Sequence, residues 1–376
     1  MGTILLGEAV HEFPLRKRPA IEDGCVKTDL KVGIIGAGGI ARSRHVDGWK
    51  SLAQHGVRIV AVADIDKTRA AQMADQAGSS HVFRDYKRLV ALPEIDVVDV
   101  CTPTSAHKEQ VVAALRASKH VLCEKPMCVN PAEGRAIIAA VKKSRKKFMV
   151  AQHQRFSLAA QAARKLVGSG ALGEIYHVRC HALRRRLLPG APTFISKRLS
   201  GGGPLLDIGV HILDLALHLI GFPKPVAVVG SAVTKLAHRN DMFSEWGDWD
   251  RKGFDVEDFA CGLVRFANGA TLILETSWLL NTKEREDFSV RLFGTEAGFA
   301  YPEMVLYGQK DGMVTDTTLA GIADYLHPHT REIQAFYDCI VNDTPSPVPA
   351  DQNFHVIRIL WALYQSSARR GEVRLR

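Results

Sequence analysis

From Leu30 onward, apolar residues come in short dense runs, each followed by a longer stretch of helical spacing. Five runs read as strands: Lys31 to Ile35, Val57 to Ala63, Asp96 to Cys101, His120 to Cys123 and Phe148 to Ala151. They are apolar on both faces, as strands of a covered parallel sheet must be. Helices are predicted between them: to about Gln54, through Arg69 and Met73, over Ala106 to Ala117, and from Pro131, since proline suits a first helical position. Strand and helix in this alternation predict a doubly wound parallel sheet over residues 29–152.

After about residue 155 the pattern changes. A helix is predicted over Ala159 to Val167, then a β run over Glu174 to Arg184. A loop ending in Gly201-Gly202-Gly203 leads into the apolar helical block "PLLDIGVHILDLALHLIG". From Val226 the runs "DVEDFACGLVRF", "NGATLILETSW" and "DFSVRLFG" alternate as an antiparallel sheet does, and Asn268-Gly269 is a strong hairpin turn. Helices over Thr330 to Val341 and Asp351 to Arg369 close the chain. Residues 153–376 therefore read as a second α/β domain on an open, largely antiparallel sheet. Residues 1–28 read as an N-terminal extension rather than a signal peptide.

At 376 residues, 46% hydrophobic and 24% charged, the chain has the composition of a globular protein with two cores. No run reaches the ~18 apolar residues of a membrane span, so no membrane partner is expected. The net charge of +9 is spread along the chain apart from Lys142 to Lys147 and Arg184 to Arg186. Those clusters fit no nucleic-acid module, and solvated helix faces plus an anionic ligand account for the balance. Seven cysteines, an odd number without a CxxC pair, are the usage of a reducing compartment. A cytoplasmic location is expected, and no metal site.

Four constellations carry chemistry. Gly36-Ala37-Gly38-Gly39-Ile40-Ala41 is a GxGxxA turn directly after a strand. Gly36 makes the tight turn, Gly38 admits a pyrophosphate, and the small Ala41 allows close packing of helix on strand, with Gly39 and Ile40 alongside. Asp64 ends the next strand, where an acid takes a ribose 2′-hydroxyl. The first domain is then a Rossmann fold for NAD, with NADP kept open by Lys67 and Arg69. Thr102, Pro103, Thr104 and His107 follow the third strand on the edge where ligands sit. His107 reads either as part of that lining or as a surface histidine at a helix start. Glu124 and Lys125 end the fourth strand on the same edge, as an ion pair or as groups facing the nicotinamide. Asp207 and His211, four apart, share a face of a mostly apolar helix, which points to a specific use. Metal binding by that pair is the sharper alternative, with no third ligand evident.

The GxGxxA turn, the tripeptide Glu124-Lys125-Pro126 and "GGGPLLDIGVH" together resemble the glucose–fructose oxidoreductase / inositol dehydrogenase / rhizopine-catabolism (Gfo/Idh/MocA) family, over nearly the whole chain from residue 29. The resemblance implies an NAD(P)-dependent oxidoreductase acting on a secondary hydroxyl of a sugar, polyol or cyclitol. By position, Lys125 would bind the reacting hydroxyl, Asp207 would orient the substrate and His211 would be the general base. The Lys125–Pro126 bond would be cis, and Lys125 would help keep His211 neutral. The resemblance also assigns substrate binding and the pairing of copies to residues 153–376, and implies a homodimer or homotetramer. The alternative is a relative that retains its NAD and cleaves glycosides through oxidation and re-reduction. Arg155 is placed to face the cleft, and Lys197 to lie near the substrate. Arg184 to Arg186 are read mainly as solvated or paired with acids. Trp246 and Trp249 are candidates for a sugar-facing indole or for core packing.

Overall fold

A computed structural model describes residues 29–375; the N-terminal extension, with Cys25, lies outside the described residues. The first sheet has six parallel strands, β1 (Lys31–Ile35), β2 (Arg58–Ala63), β3 (His81–Phe83), β4 (Val97–Val100), β5 (His120–Glu124) and β6 (Phe148–Ala151). They lie in the order β3-β2-β1-β4-β5-β6, so the order reverses between β1 and β4, where such a sheet opens a ligand crevice. The edge strand β3 was not expected from the sequence. The helix after β1 opens with a π-helical turn, Ala41–His45, continues as α1 (Val46–Lys50) and stops short of Gln54.

Helices α2 (Lys67–Ala77), α3 (Tyr86–Val90), α4 (His107–Arg116) and α5 (Pro131–Ser144) cover the sheet. Side chains fix their starts. Asp66 accepts from the N–H groups of Thr68 and Arg69, and Asn130 from that of Glu133, with Pro131 in the first turn of α5.

After α6 (Leu158–Gly168) the chain builds a nine-stranded sheet from β7 (Ile175–Arg184), β8 (Pro225–Val233), β9 (Phe259–Phe266), β10 (Thr271–Ser277), β11 (Glu286–Gly294), β12 (Gly298–Tyr301), β13 (Val305–Lys310), β14 (Met313–Thr318) and β15 (Val373–Arg374). Its order is β14-β13-β12-β11-β7-β10-β9-β8-β15, antiparallel except for β7 with β10. Between β7 and β8 come the short helices α7 (Pro192–Ile195), α8 (Lys197–Ser200) and α9 (Pro204–Asp207), then α10 (Gly209–Ile220). The apolar block is not one helix. It breaks at Ile208, and the segment ending at Asp207 meets α10 at 47°.

Two cores result. In the first, Val32, Ile34, Val98 and Leu122 of the parallel sheet pack with Ile333 and Phe336 of α11 (Pro328–Val341). The chain thus returns to its first sheet before ending. In the second, Val178, Val264, Leu272 and Leu292 pack under Ile212, Leu215 and Leu219 of α10 and Ile359 and Leu363 of α12 (Ala350–Arg369). No single described helix is long and apolar enough to cross a membrane.

Candidate active site

The carboxyl ends of β1, β4, β5 and β6 meet the α7–α10 segment at a cleft of about 430 Å³. On one side Gly36 turns at φ +99°, and a Cβ there would lie 2.6 Å from the Cys101 carbonyl oxygen, so only glycine fits. Gly38 and Gly39 line the cleft with Ile40, and a Cβ on either would meet no protein atom within 4 Å. That open backbone ahead of a helix suits a dinucleotide pyrophosphate. At the end of β2, Asp64 accepts from Ala37 N–H at 2.7 Å and Asp66 N–H at 2.8 Å, beside the glycine turn. Thr102, Pro103 and Thr104 line the same wall.

At the end of β5 the acid and the base part company. Glu124 turns inward, accepting from Lys125 N–H at 3.0 Å and meeting His45 Nε2 at 2.9 Å. His45 Nδ1 lies 2.8 Å from Asp99, which also accepts from Trp49 Nε1. Burial pushes the Glu124 carboxyl up, but the His45 hydrogen bond and the Lys125 charge outweigh it and leave it below its usual range. Lys125, after which the peptide to Pro126 is cis, reaches the opposite way across the cleft. Its Nζ donates to the Asp207 carbonyl at 2.8 Å and to Asp207 Oδ1 at 3.1 Å.

Asp207 is held from three sides. Trp278 Nε1, at the end of β10, donates to Oδ2 at 3.1 Å, and Arg184 stands 3.8 Å from the same oxygen. His211, one turn into α10, lines the cleft with Nδ1 buried and without a hydrogen-bond partner among the described residues. Its ring meets His153 edge-on at 4.7 Å, and His153 stacks on His329 at 3.8 Å between centroids. Burial first, then the Lys125 ammonium, the two imidazoles and Arg184 hold the His211 pKa well below 6.5. The neutral imidazole is a proton acceptor at neutral pH.

Residues 30–152 match the family model described as an oxidoreductase family with an NAD-binding Rossmann fold, and residues 160–300 match the Gfo/Idh/MocA C-terminal domain. The chain belongs to the Gfo/Idh/MocA oxidoreductases. It is 33% identical over 347 residues to the D-glucoside 3-dehydrogenase of Escherichia coli K12, covering 92% of this chain and 98% of that one. With the myo-inositol 2-dehydrogenase of Thermotoga maritima it shares 27% over 249 residues, 66% and 68% of the two chains. Levoglucosan dehydrogenase in complex with NADH and levoglucosan superposes with a TM-score of 0.79 at 25% identity, covering 92% and 99%.

Against this Gfo/Idh/MocA frame, Arg155, His107, Lys197 and Trp246 are not among the residues that line the cleft. Arg155 is 4% exposed and forms a two-pronged pair with Asp214, at 2.7 and 2.6 Å, so it holds α10 instead of facing substrate. His107 is neither cofactor lining nor surface. It is buried, with Nδ1 2.8 Å from the Pro126 carbonyl and Nε2 2.8 Å from the Thr102 carbonyl, tying the β4 and β5 loops together. Lys197 is exposed at the start of α8, and its neighbours Thr193, Phe194 and Ser200 line the cleft in its place. The second core takes Trp249, while Trp246 stands half in solvent. Trp278, His153 and His329 went unnoticed in the sequence. His153 follows β6, so the rule that pointed to Lys125 pointed to it too; Trp278 carried no such signal.

Proposed function

We propose that this Gfo/Idh/MocA oxidoreductase removes hydride from a secondary hydroxyl of a sugar, polyol or cyclitol. The observation that carries the reading is the buried, unpartnered His211 imidazole beside the Lys125–Asp207 pair, in a cleft bordered by the glycine turn. Bound NAD supplies the hydride acceptor. Two of the three Lys125 N–H groups are engaged by Asp207, which leaves one to donate to the substrate hydroxyl. That donation eases loss of the hydroxyl proton, which His211 takes. The imidazolium so formed is disfavoured by burial and by Lys125, so it passes its proton on readily. Asp207, fixed by Trp278, fixes Lys125 in turn and presents its remaining lone pairs to a neighbouring substrate hydroxyl.

A pairing of copies is part of the reading. The register sets Val229, Leu263 and Ile273 side by side, on the sheet face opposite the buried Val228, Val264 and Leu272. A second copy covering that row would make a dimer, or a tetramer in a further step; light scattering distinguishes these from a monomer.

The test of the chemistry is the initial rate of nicotinamide reduction over sugars, cyclitols and sugar acids, with NAD and with NADP, beside His211→Asn. Turnover of one substrate class, lost by a factor of about 10² or more in the variant, is expected. Undiminished turnover in His211→Asn overturns the assigned base. Silence throughout, with NAD recovered from the purified protein, favours the cofactor-retaining cycle.

A further inference from the structure

The segment 238–254 has no regular helix or strand, yet it is pinned along its length. Glu245 N–H donates to the Arg186 carbonyl at 2.9 Å and Ser244 Oγ to the Leu188 carbonyl at 2.9 Å. Trp249, 5% exposed, anchors it by donating from Nε1 to the Ala237 carbonyl at 2.8 Å. Three residues earlier Trp246 is 52% exposed, between the anchored Glu245 and Trp249.

What lies against this indole connects it to the reaction. The Arg184 guanidinium carbon sits 4.7 Å from the ring centroid, and Arg184 Nε donates to Glu286 at 2.8 Å. The same guanidinium stands 3.8 Å from Asp207 Oδ2. Trp246 is therefore one side chain away from the carboxylate that holds the reacting ring in the proposed function. Phe194, 37% exposed, belongs to the cleft lining itself, whereas Trp246 lies outside that lining, on the far side of Arg184. A single exposed aromatic is ordinary on a protein surface. An exposed indole on pinned backbone, stacked on a guanidinium that stands 3.8 Å from the Asp207 carboxylate, is a recognition surface.

We propose that Trp246, with Arg184 against it, forms a second subsite, and that the preferred substrate is a glycoside. Its oxidised ring lies at Asp207 and His211, while its second ring lays its C–H face on the indole. The guanidinium supplies donors to hydroxyls between the two rings. A lone cyclitol or monosaccharide ends at Asp207 and leaves the indole in water. This inference rests on the dehydrogenase reading and narrows it to two-ring substrates.

The test compares kcat and KM of the wild type, Trp246→Ala and Trp246→Phe on glucose, methyl glucosides and α- and β-linked glucose disaccharides, with melting temperatures checked. Wild type is expected to prefer a disaccharide. Trp246→Ala should lose about tenfold in kcat/KM on it, mostly through KM, and less than about twofold on glucose. Trp246→Phe should restore most of the loss. Equal losses on both substrates, or none on either, overturn the subsite. Turnover of monosaccharides with disaccharides inert overturns the subsite and leaves the dehydrogenase standing. Silence on every sugar overturns both.

Discussion

Replacing Arg155 with leucine is predicted to damage stability far more than catalysis. The Arg155 guanidinium makes two parallel bonds to Asp214 and a third, at 2.6 Å, to Gln352 of α12, joining the end of β6 to α10. Asp214 is 0% exposed. Leucine fills part of the space and leaves a carboxylate with no counter-charge. Breaking a buried pair from one side costs about 3–5 kcal/mol. In a unit of this size that lowers Tm by roughly 10 °C. Burial already holds the Asp214 carboxyl above its usual range with Arg155 present, although the guanidinium pulls it back. Without Arg155 it rises further, a proton neutralises it at mild acidity, and the deficit narrows as pH falls. Arg155→Leu/Asp214→Leu removes both charges and should recover most of the loss. Scanning calorimetry at several pH values, beside kcat and KM well below Tm, decides the matter. A wild-type Tm with a raised KM would refute the reasoning and return Arg155 to the substrate.

Other predictions rest on single contacts. A Cβ on Gly203 would overlap the carbonyl of Glu257, whose carboxylate accepts from Gly203 and Leu205 N–H, so Gly203→Ala should unfold at markedly lower temperature. Gly38→Ala, opening onto empty space, should keep its Tm while NAD titration shows weakened binding. Trp278→Phe removes one donor to Asp207 and should raise the substrate KM several-fold, about 1 kcal/mol, with the NAD dissociation constant unchanged. Burial, then the charge of Lys125 for His153 and the His153 imidazole for His329, lowers these two pKa values to about 3 and about 2. Both rings stay neutral when folded, whereas the unfolded chain takes up protons near pH 6.5. Their contribution to stability is thus complete above about 6.5 and falls towards pH 3, by at most ~1.4 kcal/mol per pH unit for each ring. His45 has the opposite sign: burial lowers it but Asp99 raises it further, so its contribution is lost only as pH rises through its elevated pKa. Urea midpoints across pH 4–8 check this; a flat curve below 6.5 contradicts it.

Strands β1, β2 and β4 to β6 of the first sheet, and β7 and β9 to β11 of the second, were legible because burial on both faces, or alternation on one, writes itself into local sequence. Strand β3 was not: it has three residues, none fully buried, and is a strand only because Ala61 to Ala63 lie beside it. The break at Ile208 was hidden for the opposite reason, since an unbroken apolar run offers no boundary cue. Lys125, Asp207 and His211 stood out because charged residues on apolar elements call for an explanation. The triple glycine was rightly read as a close backbone approach, but what approaches is Glu257 and the Tyr364 hydroxyl. Arg155 misled because its partner lies 59 residues on, and Trp278 was silent because an aromatic at a strand end is indistinguishable from core.

The central claim is that Lys125 serves the chemistry at Asp207 and His211 and not merely the binding of NAD. The most direct measurement is NAD affinity and turnover of Lys125→Met on the same preparation, against the substrate found best for the wild type. NAD binding within a few-fold of wild type, with turnover reduced by about a hundredfold or more, is predicted. Turnover within a few-fold of wild type, with NAD bound, would contradict the account.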